Sequence, residues 1–280
     1  MTKSYVLKAA ILVGLFLSSV VMSKPVLASI TITPVEIMFG GRDRYKDITL
    51  VNTGDTVKNY EMKFVYHKMT PEGAYVFVEG LGEEEFDLSK HIVFSPRKVR
   101  LEPGAKQRVR LALRRPAEIP LGDHHVGLMF ESKALEKNTT DDDIQLETGQ
   151  AKAGMVINVS YSIPVILREG DPDNTVEFGQ LEFERNKGSG LLDALVTIKR
   201  VPEGNPYGVL GYLGVYHIDS DGNEEKVGEL INPHVFPEVD SRTFRVIIKK
   251  DIDGGSLRFV LSKEKRSDEI IAERTFVLEK

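Results

Sequence analysis

The stretch Met155-Val156-Ile157-Asn158-Val159-Ser160-Tyr161-Ser162-Ile163-Pro164-Val165-Ile166-Leu167 carries a large apolar side chain at every odd position. Its even positions include Asn158, Ser160, Ser162 and Pro164. Successive side chains of a strand point to opposite faces, so seven alternations without a miss describe one long strand with a strongly hydrophobic face. The run has 13 residues, where strands usually have about 5–6. Its C-terminal half reads as ordinary core. A strand that outruns its own sheet has surplus apolar face to present to another chain.

Residues 133–154, just upstream, are opposite in character. They contain no aromatic, only Leu135, Ile144 and Leu146 as large apolar groups, and the block Asp141-Asp142-Asp143. Such a segment cannot bury enough surface to offset its ordering entropy and is expected to form a long mobile loop. The acidic block lacks the glycine and terminal glutamate of a calcium-binding loop, which favours a solvated loop over a metal site. Asn138-Thr139-Thr140 fits the glycosylation sequon, informative only in a host that glycosylates such sites.

Outward from there, the chain reads as strands almost throughout. Ser29-Ile30-Thr31-Ile32-Thr33 alternates, Ile37-Met38-Phe39 closes before Gly40-Gly41, and Asp47-Ile48-Thr49-Leu50-Val51 runs into the turn Asn52-Thr53-Gly54-Asp55. Tyr60, Met62, Phe64 and Tyr66 share one face of a further strand, and residues 99–101 and 107–113 flank the turn Glu102-Pro103-Gly104. A polar, turn-rich stretch at 168–174 marks a boundary. Seven more strands are expected at 176–184, 191–200, 208–218, 226–231, 242–249, 257–261 and 270–278. Short period-2 runs punctuated by Gly, Pro, Asn and Asp indicate antiparallel sandwiches, and seven strands in one hundred-odd residues suit an immunoglobulin-like domain. No window shows a convincing helical period. The expected fold is all-β: two tandem immunoglobulin-like β-sandwich domains at 29–169 and 170–280.

The first 28 residues differ in kind. Lys3 and Lys8 precede an uncharged apolar run from Ala9 to Met22, and Val26-Leu27-Ala28 offers small side chains for cleavage. This is the layout of a secretory signal peptide. The 14-residue run falls short of the roughly 20 needed to span a bilayer. Cleavage is expected after Ala28, with no membrane insertion afterwards. Losing Lys3, Lys8 and Lys24 from a formal net charge of −5 leaves −8. That acidic balance argues against a nucleic-acid binder.

With no cysteine in 280 residues, disulfides, thiol catalysis and thiolate metal sites are excluded. Six histidines occur, at 67, 91, 124, 125, 217 and 234. The adjacent pair His124-His125 would point to opposite faces of a strand, poor geometry for one metal, and is expected at a turn or strand edge. There is no G-x-S-x-G elbow, H-E-x-x-H helix or phosphate-binding glycine loop. Neither an enzyme nor a cofactor is expected.

The segment Phe94-Ser95-Pro96-Arg97-Lys98-Val99-Arg100-Leu101-Glu102-Pro103-Gly104-Ala105-Lys106-Gln107-Arg108-Val109-Arg110-Leu111 resembles the central signature of PapD-like periplasmic pilus-assembly chaperones. Its Ser-Pro, Pro-Gly turn and Gln-x-Val-Arg carry the likeness. Ile48 to Gly54, His125 to Phe130, and the turn Asp253-Gly254-Gly255-Ser256 before Leu257-Arg258-Phe259 are similar to further parts of the family pattern. The resemblance implies two immunoglobulin-like domains set at an angle. It also implies that the chain lends a strand to incomplete pilus (fimbrial) subunits in the periplasm and hands them to an outer-membrane usher. Met155, Ile157, Val159, Tyr161 and Ile163 would then be subunit-binding. Family members anchor the subunit's terminal carboxylate with an Arg in the first strand and a Lys in the seventh. Here Glu36 and Pro164 stand near those positions, and neither binds a carboxylate. Arg168, Arg42 and Arg44 are alternative cations, with Arg168 the candidate anchor. Two other classes stay open: a secreted structural or adhesive β-sandwich protein, and a carbohydrate-binding accessory domain, which the lack of tryptophan disfavours.

Overall fold

In the computed structural model the residues described are 30–82, 85–133, 159–172, 175–188, 190–252 and 254–278. The expected signal peptide and the 134–154 segment therefore lie outside the described residues. Among those that are described, the regular structure is β-strand, interrupted by a single turn of 3-10 helix at Leu88–Lys90.

The first sandwich contains β1 (Ile30–Thr33), β2 (Ile37–Gly40), β3 (Tyr45–Asn52), β4 (Lys58–Met69) and β5 (Tyr75–Val78). It continues with β6 (Ile92–Ser95), β7 (Lys98–Leu101), β8 (Lys106–Leu113), β9 (Gly122–Lys133) and β10 (Tyr161–Glu169). One sheet has the order β1-β3-β8-β6; the other runs β2-β10-β9-β4-β5, with β7 also paired to β4. Period-2 patterning turns Ile48 and Leu50, Val109 and Leu111, Val126, Leu128 and Phe130, and Val165 and Leu167 into one core, each at most 1% exposed. The turn between β7 and β8 is closed by Asn52. Its amide donates to the carbonyls of Thr56 and Leu101, and Gly104 takes up positive φ.

β4 shows how one strand serves two neighbours. Its even residues Tyr60 and Met62 are buried and Phe64 and Tyr66 pack against the same core, as the alternation demands. Its odd residues His67 and Met69 are also buried: Met69 belongs to the second core, and His67 lies against Tyr75, Phe77 and His125.

The second sandwich comprises β11 (Thr175–Arg185), β12 (Leu192–Val201), β13 (Val209–Ile218), β14 (Glu224–Val235), β15 (Ser241–Ile247), β16 (Ser256–Ser262) and β17 (Ile270–Val277). All seven fall where the sequence places them. They form the sheets β11-β12-β15 and β14-β13-β16-β17, the three-plus-four arrangement of a seven-stranded immunoglobulin-like sandwich. Its core includes Val196, Leu213, Val215, Val246 and Phe259, each fully buried.

Two buried polar networks set the loops where the sandwiches meet. The Arg200 guanidinium, 1% exposed, donates to the carbonyls of Val239 (2.8 Å), Tyr207 (3.0 Å), Pro237 (2.8 Å) and Asn205, and pairs with Asp240. It thereby fixes the 205–207 and 237–240 loops together. Asp123, at the start of β9, accepts the Gly208 N–H at 2.9 Å and so joins the first sandwich to the second.

Candidate functional site

The C-terminal part of the long apolar strand is β10, between β9 and β2. Its register with β9 runs from Tyr161 opposite Phe130 to Glu169 opposite Gly122. On its other side, parallel β2 covers only Val165, Ile166, Leu167 and Arg168, opposite Ile37, Met38, Phe39 and Gly40. Among the described residues, 161–164 therefore have no strand partner on the β2 side. Just upstream the chain still follows β9, since the Ser132 N–H donates to Ser160 Oγ at 3.2 Å.

The side chains divide along this strand. Val165 and Leu167 lie in the first core, while Ile166 faces the second. Ile163, expected among the subunit-binding residues, is 5% exposed and packs in the first core, so its side chain is already committed. Tyr161 is half-buried against the same core, and Val159 is 49% exposed. Met155 and Ile157 lie outside the described residues. The apolar face thus passes from core to surface between Ile163 and Val159. The adjacent end of β9 is polar. Glu131 sits between Lys63 (2.9 Å) and Lys133 (3.0 Å), whose ammonium groups hold its carboxyl below the usual range.

Arg168, the candidate carboxylate anchor, holds a carboxylate of this chain. Its guanidinium meets Asp123 with both prongs, at 2.7 and 2.6 Å, and donates to the Gly208 carbonyl at 3.1 Å. The Asp123 side chain is 1% exposed and that of Arg168 21%. Glu36, near the family's Arg position, pairs with His234 of the second sandwich at 2.6 Å. Pro164 lies opposite Gly127 on β9. Arg42 and Arg44 are exposed.

Sequence reasoning missed the histidines at the junction. His124 and His125 lie near the start of β9, opposite Leu167 and Ile166 of β10; the pairing with β4 ends at Gly127, so among the described residues the pair has no strand on its other side, the strand-edge setting expected of it. His124 Nε2 is 2.8 Å from the Pro120 carbonyl and its ring packs on Phe86, whereas His125 meets Phe236 and Glu238. A cleft of about 360 Å³ between the sandwiches is lined by His67, His124, His125, Glu85, Phe86 and Glu238, among others. Among the described residues no group of three or more His, Asp or Glu is arranged to hold a metal ion.

No family model matches the sequence, and no curated protein matches it. Solved structures do. The class 5 fimbriae chaperone CfaA is 14% identical, with 89% of this chain and 100% of that one covered and a TM-score of 0.42. The E. coli chaperone DraB is 12% identical, with 90% and 98% covered and a TM-score of 0.41. A chaperone–tip adhesion subunit pre-assembly complex from archaic chaperone-usher Csu pili of Acinetobacter baumannii matches at 12% identity, 89% and 97% coverage and a TM-score of 0.42. All three of these structures similar to this chain contain chaperones, one of them in complex with a pilus subunit.

Proposed function

We propose that this chain is a periplasmic chaperone for pilus or fimbrial subunits, which lends them the strand that begins upstream of β10. The observation that carries the reading is the half-covered edge of β10: β2 stops at Val165, and the apolar alternation continues in the sequence through Ile163, Tyr161, Val159, Ile157 and Met155. An open edge supplies main-chain hydrogen bonds to an added strand, and alternate large side chains supply specificity. Each side chain of Met155, Ile157 and Val159 fully buried in a client groove is worth about 1.5–3 kcal/mol before ordering costs. Ile163 is left out of this set because it is spent on the chain's own core.

The same proposal takes 1–28 as a cleaved signal peptide, 29–169 and 170–280 as the two domains, and an outer-membrane usher as the recipient of the loaded client. No catalysis or cofactor is assigned. Arg168 can serve as the anchor only if a client's terminal carboxylate displaces Asp123 from its guanidinium.

The test is co-expression of the exported chain with a small β-rich subunit encoded beside it, followed by co-purification. Wild type is expected to bring the subunit down in a one-to-one complex. Ile157→Asp, which puts a charge into an apolar groove, is expected to lose it while unfolding at an unchanged temperature. Polymerisation of the chain alone, or capture unaffected by Ile157→Asp, would refute the reading.

A further inference from the structure

The junction between the sandwiches is built around Phe236, a residue of the second sandwich that is 1% exposed. His125 from β9 stacks on its ring with centroids 4.3 Å apart, and His234 from β14 stacks on it at 5.3 Å. Each of these imidazoles has a carboxylate from the opposite sandwich. His125 Nε2 lies 3.1 and 3.2 Å from the oxygens of Glu238, and His234 Nε2 lies 2.6 Å from Glu36. Glu238 also accepts the Met69 N–H at 2.8 Å. Both acids are therefore taken.

His67, on β4, is the third imidazole here and has no such partner. It is 8% exposed, its Nδ1 is buried without a hydrogen-bond partner, and its ring is edge-on to Tyr75 (4.8 Å) and to His125 (5.9 Å). The ring fits only because residue 127 is glycine, where a Cβ would lie 2.6 Å from His67 Cε1. The groups around it come from every packed element. His125 lies on β9, Tyr75 and Phe77 on β5, and Glu238 belongs to the second sandwich, whose Arg242 reaches Tyr75. Its chain neighbour Lys68 is neutralised by Glu85 at 2.8 Å. Arg242 brings a permanent positive charge, held by Tyr75 and by the His234 carbonyl at 3.0 Å.

We propose that His67 is a proton-operated wedge in this junction: neutral, it packs the two sandwiches together, and protonated, it loosens them. The proton it takes up from solvent lands beside His125, where the Glu238 and Glu36 carboxylates already serve other imidazoles. A buried charge without a counter-ion is relieved by admitting water, which here means parting the sandwiches.

The sign follows from the proton balance. Burial, and then the His125 charge, lower the affinity of His67 for a proton against weaker opposition from Glu238 and the Val65 backbone. The separated sandwiches would bind a proton at His67 near the ordinary histidine value of about 6.5, and the docked state only at lower pH. Docking is therefore complete above about 6.5 and weakens as pH falls through the docked-state value. His67 is what makes the junction acid-labile.

The experiment uses the natural absence of cysteine. Spin labels at Lys106→Cys and Asp221→Cys, exposed sites on the first and second sandwich, report the separation by double electron–electron resonance between about pH 7.5 and pH 5, a range that brackets histidine titration. The wild-type distance distribution is expected to shift and broaden on acidification, with near-ultraviolet circular dichroism unchanged. His67→Phe keeps the ring and cannot titrate; its distribution is expected to stay fixed. His67→Gln serves if the phenylalanine variant does not fold. A wild-type distribution indifferent to pH, or variants that broaden as the wild type does, would overturn the proposal.

Discussion

The boundary between core and offered face on β10 can be tested with two truncations four residues apart. Ile163 is 5% exposed within the first core, whereas Val159 is 49% exposed. Ile163→Ala removes three carbons from a packed site and is expected to cost about 2–5 kcal/mol. For a sandwich of this size that lowers Tm by roughly 6–20 °C. Val159→Ala removes two carbons that are half in water already, and its effect on the free protein should stay within about 0.5 kcal/mol. Client binding should rank the other way. Val159→Ala takes away part of a side chain that is buried only when a client is bound, while Ile163→Ala leaves the face of the remaining folded fraction intact. Thermal unfolding followed by circular dichroism gives the first comparison, and titration of the folded proteins with a purified client gives the second. If Val159→Ala destabilises the free chain as much as Ile163→Ala, the core extends upstream and the donor-strand reasoning fails.

Two further outcomes follow from buried charge. Arg168→Ala strands Asp123, whose side chain is 1% exposed, and should cost about 3–5 kcal/mol in urea unfolding; a loss below about 1 kcal/mol would refute the buried ion pair. If Arg168 also grips a client carboxylate, amidating the client's C-terminus weakens binding to wild type and not to Arg168→Ala. Arg200→Met removes the hub that holds the carbonyls of Val239, Tyr207, Pro237 and Asn205, leaving several buried acceptors unpaired at about 1–3 kcal/mol each. Hydrogen exchange should quicken first in the 202–207 and 236–240 loops, and uniform acceleration throughout the chain would contradict a local role.

What the sequence determined by itself is whatever depends on nearest neighbours along the chain. Side chains alternate faces with period 2 in any strand, so Leu213, Val215, Val246, Phe259 and their kin announced all seven strands of the second sandwich, and Asn52 and Pro103-Gly104 announced the turns of the first. The alternation also placed the apolar face of β10. It could not show where along β10 that face leaves the core. That depends on β2 ending its pairing at Val165, a matter of where a distant segment docks. β5 escaped sequence reading because it keeps Tyr75, Val76 and Phe77 exposed and so shows no alternation of buried and exposed residues. Long-range partners were the other blind spot. Arg168 reads as a free cation until Asp123, 45 positions away, closes on it. His234 and Glu36 stand 198 residues apart, and His125 and Glu238 113. Periodicity fixes which face of its own strand a side chain occupies. Only the pairing of strands and the packing of one sandwich on the other decide which charge it meets there.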